Sequence, residues 1–432
     1  MVFSSKLWIN QYRALSSLIL TISALMCVAC EDRSSTNSMT SGAEVDDGFG
    51  GTINGSNSGM TAGENGGEQA GMNAGGSAGV TAGHAAGVSA GVSAGESAGA
   101  TAGASARPPV DLARGAELYQ EYCGFCHGEQ GEGYLADNAN ALSNQDFLSV
   151  ATDEFLTLAI IHGRPGTPMS PWGDVKGGPL TSDMTRDIVA FIRQWQTVDS
   201  IEHPAPELEG NAQRGLPLYR AACAGCHGEL GEGISAVSLN NPWFLHTVSD
   251  GMIAHAIEIG RAGTAMGAYG PPLVNAQGLA DLVALIRSWE RPVDTDPPPP
   301  FTPQVDQAPL NPEGPEPMFE LREDRYVSAT QVYNAMEMGA RFTLIDARPA
   351  ADYLDEHIAG AISLPFYDVD QYADQLPQDA FTVTYCGCPH AVSGQAADAL
   401  SARGFNRVAI LDEGFYEWRD TFAYPITTGT QP

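Results

Sequence analysis

The chain contains the pentapeptide Cys123-Gly-Phe-Cys126-His127, and the same pattern returns 100 residues later as Cys223-Ala-Gly-Cys226-His227. Cys-x-x-Cys-His is the attachment sequence for c-type haem. The two cysteines form thioethers with the haem vinyl groups, and the histidine supplies the proximal nitrogen to the iron. Cys-x-x-Cys pairs also serve zinc and redox sites, but zinc needs about four ligands and each pentapeptide offers three. The repeat therefore predicts two covalently bound haem c groups.

The sequences around both pentapeptides also match. Arg114-Gly115 with Tyr119 precedes the first, and Arg214-Gly215 with Tyr219 precedes the second. A run of the form Gly-Arg-x-Gly-Thr-x-Met follows each and ends at Met169 and Met266, respectively. Each unit then closes on apolar residues at the i, i+3, i+4, i+7 spacing of a helix with one buried face. The pattern predicts two related helical domains, residues 107–200 and 201–292.

On these residues, both units resemble the class I c-type cytochromes. In that family, a glycine and an aromatic residue on the first helix pack where that helix crosses the last one. Gly115 with Tyr119, and Gly215 with Tyr219, match that pattern. The resemblance implies two all-α domains, each with a haem in its core.

The second axial ligand of each iron is expected from the loop after the haem-binding helices. Met169 and Met266 occupy equivalent positions in loops rich in Gly and Pro, so we expect His127/Met169 and His227/Met266 ligation. The rival ligands are His162, His246 and His255, of which His162 has no counterpart in the second unit. With both axial positions filled, electron transfer is favoured over catalysis at the iron.

The first 30 residues have the pattern of an export signal. Two basic residues precede a short apolar run that ends in Val28-Ala29-Cys30, which resembles a bacterial lipoprotein processing site. We expect Cys30 to be the lipidated first residue of the mature chain; cleavage by the ordinary signal peptidase is the alternative. Residues 31–106 are rich in Gly, Ala and Ser and predict a disordered tether. The protein is then periplasmic or on the cell surface, anchored to a bacterial membrane.

The formal net charge is −31. This charge argues against nucleic acid as a partner and favours redox protein partners that carry basic patches. Residues 293–319 contain Pro297-Pro298-Pro299-Pro300 and further prolines. Such a sequence predicts an extended, semi-rigid spacer between the cytochrome pair and a third domain, residues 320–432.

The third domain has a different periodicity. Short apolar strands at 342–346, 381–385 and 407–411 alternate with helical stretches, which predicts a parallel sheet covered by helices. Cys386 directly follows the strand that ends at Tyr385, and a helix begins a few residues later. Function in such sheets lies at the carboxyl ends of strands, and backbone N–H groups at a helix start stabilise a thiolate.

These residues carry a resemblance to the rhodanese family over roughly 320–428. The matching segments begin at Leu344, Glu356 and Glu413 and include Tyr385-Cys386. The family carries sulfane sulfur as a persulfide on the loop cysteine, which implies that role for Cys386 and a sulfane-sulfur donor as partner. The chain departs from the family at Ala391, where many members have arginine. The absence of arginine between Cys386 and Arg403 argues against phosphatase activity.

Three functions remain open from the sequence. The first is a membrane-tethered dihaem cytochrome that transfers electrons, with a sulfur-carrying domain attached. The second is an enzyme in which the haems accept electrons from sulfur oxidation at Cys386. In the third, the rhodanese-like domain serves only for docking. Cys388 and His390 are unusual neighbours that could tune Cys386, or Cys388 could resolve its persulfide as a disulfide.

Overall fold

A computed structural model of the protein describes residues 108–134, 139–387 and 390–432. The predicted signal (1–30), the lipidated Cys30, the Gly/Ala/Ser tether (31–106) and Cys388 lie outside these ranges. Among the residues described, no helix combines the length and apolar character needed to cross a membrane.

Both predicted cytochrome units are all-helical and have the same order of helices. Each first helix begins at a capping side chain: Asp111 accepts a hydrogen bond from Arg114 N, and Asn211 accepts one from Arg214 N. The helices of the first unit are α1 Leu112–Tyr122, α2 Gly124–His127, α3 Gln145–Leu148, α4 Asp153–His162 and α5 Ser182–Arg193. Those of the second are α6 Ala212–Ala222, α7 Ala224–His227, α8 Pro242–Thr247, α9 Asp250–Ile259 and α10 Ala276–Arg287.

In each unit, the first and last helices cross at a glycine. A Cβ atom on Gly115 would lie 2.2 Å from the carbonyl oxygen of Asp187, and one on Gly215 would lie 2.3 Å from that of Asp281. Only a residue without a Cβ permits this approach. Arg114 and Arg214 reinforce the crossings through ion pairs with Asp187 and Asp281. The helix crossing expected from the class I cytochrome pattern is therefore present in both units.

The third domain is an α/β layer structure with a parallel sheet, as predicted. Its strands lie in the order β1–β6–β5–β2–β4, with every pair parallel, while β3 and β7 form a small antiparallel pair. The strands are β1 Tyr326–Val327, β2 Phe342–Asp346, β3 His357–Ile358, β4 Ile362–Ser363, β5 Phe381–Tyr385, β6 Val408–Leu411 and β7 Ile426–Thr427. The helices between them are α11 Ala329–Glu337, α12 Ala350–Asp355, α13 Val369–Tyr372, α14 Ala391–Ala402 and α15 Gly414–Tyr416.

The proline-rich segment, predicted to be an extended, semi-rigid spacer, also packs against its neighbours. The ammonium group of Lys176 donates to the carbonyl oxygens of Asp294 and Asp296. Val305 is buried, and Leu310 N donates to the carbonyl oxygen of Phe342 on β2. The segment thus contacts the first cytochrome unit through Lys176 and the third domain through Leu310.

Candidate haem sites and sulfur site

The two attachment histidines have the same surroundings. In each unit, Cys123 or Cys223 caps a four-residue helix that ends at His127 or His227, so the two cysteines and the histidine lie within little more than one helical turn. The Nδ1 atom of His127 lies 2.8 Å from the carbonyl oxygen of Asn140, and that of His227 lies 2.9 Å from the carbonyl oxygen of Val237. A carbonyl at Nδ1 fixes the ring orientation and leaves Nε2 available for a metal. Burial lowers the pKa of both histidines, which favours the neutral, ligating form.

The methionine-bearing loops also have the same conformation. Arg164 N donates to the carbonyl oxygen of Met169 at 2.7 Å, and Arg261 N donates to that of Met266 at 2.8 Å. Inside each loop, the threonine hydroxyl donates to the arginine carbonyl and accepts from the methionine N–H. We name these segments the first Met loop (residues 163–169) and the second Met loop (residues 260–266). Both methionines are partly buried.

Each Met loop contains an arginine that forms no ion pair within the described residues, although Asp146 lies close enough to Arg261 to oppose the lowering of its pKa. Burial lowers the pKa of Arg164 and of Arg261 to about 10. Within the described ranges, neither guanidinium forms an ion pair with a carboxylate. Arg164 donates to its neighbour's carbonyl oxygen at Gly163 and lies near the rings of Phe155 and Phe244. A partly desolvated cation of this kind requires an anion nearby.

These features fit haem c. A haem brings two carboxylates, which would partner the guanidiniums of Arg164 and Arg261, while the pentapeptide cysteines would hold its vinyl positions. His127 and Met169 would be axial ligands in the first unit, and His227 and Met266 in the second. When bound, haem supplies one-electron redox chemistry. The sequence shows Gly-Arg in both loops, but the role of the arginines becomes apparent only from their burial.

The rival histidines contact other aromatic rings. His162 stacks on Trp243 with ring centroids 3.6 Å apart, and His246 meets the edge of the same tryptophan. His255 lies against His203 with centroids 5.1 Å apart. These positions are on helices and at the contact between the two units, away from the repeated loop geometry. Ligation by Met169 and Met266 therefore stays the favoured prediction.

The two cytochrome units contact each other through matching residues. The side-chain amide of Asn241 donates to the carbonyl oxygen of Pro165 at 2.9 Å, and that of Asn144 donates to the carbonyl oxygen of Ala262 at 2.8 Å. These are equivalent positions in the two units, so each Met loop meets the other unit in the same way. Such a contact is the intramolecular counterpart of a twofold dimer interface. It brings the two proposed haem sites together along their Met loops.

The structure places Cys386 at the carboxyl end of β5, as the sequence predicts. The thiol is 1% exposed, and its sulfur lies 3.2 Å from the hydroxyl oxygen of Ser393 on α14. The carbonyl oxygen of Cys386 accepts from Phe415 N, and Phe415 packs under the guanidinium of Arg348. Arg348 in turn pairs with Asp346. The cysteine therefore lies in a small, rigid cradle between the ends of β5 and β6.

His390 is directed away from Cys386. Its ring stacks on Tyr326 with centroids 4.1 Å apart, and its Nε2 atom lies 2.9 Å from a carboxylate oxygen of Asp412. His390 also adopts a positive φ of 69°, which turns the chain into α14. The expectation that this histidine tunes the cysteine is therefore not supported by its contacts.

The cysteine loop lies against the first Met loop. The hydroxyl of Tyr416 donates to the carbonyl oxygen of Thr167 at 2.5 Å. A Cβ atom on Gly387 would lie 3.5 Å from Cα of Pro168. Beside them, burial raises the pKa of Asp352 to about 6, opposed by Arg348 and by a hydrogen bond from Ser170. Sequence reasoning did not find this contact.

An aromatic cluster extends the contact to the haem-attachment helix. Phe366 of the third domain lies with its ring centroid 5.8 Å from that of Tyr122 and 6.2 Å from that of Trp172. Tyr122 immediately precedes Cys123. The third domain therefore contacts the first cytochrome unit near both proposed ends of its haem site.

The fold and the sites define a c-type cytochrome fused to a rhodanese-like domain. A family model described as cytochrome c oxidase, cbb3-type, subunit III matches residues 110–192 and 210–286. A rhodanese-like domain model matches residues 328–421. The chain belongs to the rhodanese family through its third domain, and its middle part matches the cbb3-type cytochrome c model.

Individual relatives match the same two parts of the chain. The thiosulfate sulfurtransferase GlpE of Pseudomonas fluorescens is 32% identical over 111 residues, which cover 26% of this chain and 98% of the relative. The cbb3-type cytochrome c oxidase subunit FixP of Azorhizobium caulinodans is 29% identical over 167 residues, which cover 37% of this chain and 54% of the relative. The chain thus spans about half of that oxidase subunit. A solved rhodanese-like domain from Anabaena is 28% identical, with 24% of this chain and 78% of that one covered and a TM-score of 0.23.

Proposed function

We propose that this protein is an electron-transfer cytochrome with two haem c groups, whose third domain carries sulfane sulfur on Cys386. The repeated geometry of His127 with the first Met loop and His227 with the second Met loop is the main support, because each unit has a full set of haem-binding residues. The relatives of the middle part are subunits of cbb3-type oxidases, and the relatives of the third domain are sulfurtransferases.

The number of haems can be counted by intact-protein mass spectrometry. The mature chain should carry the mass of two covalent haems. The double variants Cys123→Ala/Cys126→Ala and Cys223→Ala/Cys226→Ala each remove both thioether positions of a single site, so each should lose the mass of one covalent haem. A wild-type mass with one haem, or both haems lost in one variant, would contradict the proposal.

The third domain is proposed to hold sulfur on Cys386. Ser393 and the start of α14 surround the sulfur, and Asp346–Arg348–Phe415 holds the loop rigid beneath it. After exposure to a sulfane-sulfur donor, mass spectrometry should find one added sulfur on Cys386 and none in Cys386→Ser. Label on Cys388 alone would reverse the assignment. No label on either cysteine would leave docking as the role of this domain.

Tethering through Cys30 is part of the same proposal. The support is the Val28-Ala29-Cys30 sequence after a short apolar run, and the partners expected in that location are redox proteins with basic patches. Cys30→Ser should move the protein from the membrane fraction to the soluble fraction. An unchanged membrane fraction in this variant would contradict anchoring through Cys30.

A further inference from the structure

Cys386 and Met169 lie on two loops that touch. Gly387 follows Cys386, Pro168 precedes Met169, and a Cβ atom on Gly387 would lie 3.5 Å from Cα of Pro168. Because neighbouring Cα atoms are about 3.8 Å apart, the Cα atoms of Cys386 and Met169 lie within about 13 Å of each other. The Tyr416 hydrogen bond to Thr167 fixes this contact. The reactive cysteine therefore borders the loop that carries the proposed axial ligand of the first haem.

This contact is with the first cytochrome unit. After Met169, Ser170 is 7% exposed and Trp172 is 6% exposed, because the third domain covers them. The equivalent residues after Met266 include Gly267 and Ala268, which are exposed. A redox reaction at Cys386 would thus have a direct neighbour in the first haem site, and the twofold-like contact would connect that site to the second.

The surroundings of Cys386 indicate the size and charge of its substrate. The thiol is 1% exposed, so only a small molecule reaches it without a large rearrangement. The two arginines that pack on Phe415 are already paired, Arg348 with Asp346 and Arg419 with Glu356 and Asp420. No arginine or lysine lies between Cys386 and Arg403. A dianion such as thiosulfate therefore has no unpaired arginine here to balance its two charges. Hydrosulfide carries one charge on one heavy atom and needs less charge compensation.

Building on the proposed function, we propose that this protein oxidises inorganic sulfide at Cys386 and passes the electrons to the first haem. The Cys386 thiolate and a hydrosulfide ion form one S–S bond, and the S–H bond breaks. The products are the persulfide anion on Cys386, one proton released to solvent and two electrons. Ferric haem c is the oxidant, and two haems accept one electron each, so one turnover matches the redox capacity of the chain. The persulfide sulfur then passes to an acceptor thiolate by exchange, without further electron transfer.

The test mixes oxidised full-length holoprotein with sodium sulfide without oxygen and follows haem reduction by stopped-flow absorbance. Mass spectrometry of the quenched sample reports sulfur on Cys386, independently of the haem signal. We expect one persulfide for every two haems reduced. Cys386→Ser should slow haem reduction by at least about 100-fold, as expected for loss of a nucleophile. Protein that dithionite has already reduced should form no persulfide from sulfide, because it holds no oxidant.

A milder pair of variants tests the loop contact while leaving the cysteine intact. Tyr416→Phe removes the hydrogen bond to the first Met loop, and Tyr424→Phe removes a similar hydroxyl contact, with Thr330, away from that loop. Tyr416→Phe should slow sulfide-driven reduction by about fivefold, the equivalent of one hydrogen bond. Tyr424→Phe should reduce at the wild-type rate.

The outcomes separate this proposal from the function on which it rests. If sulfide reduces wild type and Cys386→Ser at the same rate, the haems react directly with sulfide and the proposal is overturned. If sulfane donors label Cys386 but sulfide neither labels it nor reduces the haems, the proposal fails while sulfur carriage stands. If no donor labels Cys386, both fail and the docking role remains.

Discussion

The two cytochrome units carry the same haem-attachment residues but have different neighbours. Their attachment motifs, the carbonyl contacts of their histidines and the hydrogen bonds of their Met loops match. Yet the third domain covers the first unit through Tyr122, Pro168 and Trp172, where the second unit has Ala222, Ala265 and Tyr269. The repeat therefore supplies the haem-attachment residues of both units. The residues just outside it determine which proposed haem site the third domain covers. The proposed sulfide oxidation therefore delivers its electrons to the first unit.

The largest difference in stability between the units should appear when the aromatic residue at position 172 or 269 is removed. Trp172→Ala deletes a side chain that packs on Tyr122 and Phe366, so it should lower the free energy of unfolding by about 4 kcal/mol. Tyr269→Ala at the equivalent, more exposed position should cost about 1 kcal/mol. Denaturant unfolding followed by tryptophan fluorescence and haem absorbance would compare them. Equal losses would mean that the third domain adds little to the first unit.

Substitutions at the two helix crossings should destabilise both units by similar amounts. Gly115→Ala and Gly215→Ala each place a Cβ within 2.2–2.3 Å of a backbone oxygen, so each should cost about 3 kcal/mol. A matched control is Gly394→Ala on α14, where the nearest atom is 3.7 Å away and alanine favours the helix. Thermal unfolding of the three variants would show whether the crossing is the cause. A harmless Gly115→Ala would contradict the geometry given for α1 and α5.

The two axial methionines should contribute equally to the optical spectrum. Sulfur–iron ligation gives oxidised c-type cytochromes a weak absorption near the red end of the visible range. Met169→His and Met266→His should each remove about half of this absorption, since each changes one of two sites. An unchanged spectrum in either variant would show that the methionine concerned is not a ligand.

The smallest effect should come from the single hydrogen bond that joins the two loops. Tyr416→Phe should lower the free energy of unfolding by about 1 kcal/mol, because it leaves the carbonyl oxygen of Thr167 without this donor. Hydrogen exchange at the amides of the first Met loop should rise in this variant and stay constant in the second Met loop. An equal rise in amide exchange in both Met loops would indicate that the variant destabilises the whole protein and not the first loop alone.

The sequence predicts most of what is local and little of what joins the domains. The attachment motifs, Gly115 and Gly215 at the helix crossings, and Cys386 at the end of β5 follow from repeats and periodicity. The contact of Phe366 with Tyr122 does not, because it joins residues far apart in the chain with no pattern to link them. The packing of the proline-rich segment could not be predicted for the same reason. Its composition predicts an extended chain, but Val305 and Leu310 supply the apolar contacts that pack it.

The order in which the two haems are reduced tests whether electrons from Cys386 enter the chain through the first cytochrome unit. In Met266→His, the remaining red-end absorption reports the first haem site, and in Met169→His it reports the second. We would mix each oxidised variant with substoichiometric sulfide and follow this absorption with time. We expect the signal to disappear at once in Met266→His and more slowly in Met169→His. If the second site loses its signal first, sulfur chemistry does not enter the chain through the first cytochrome unit.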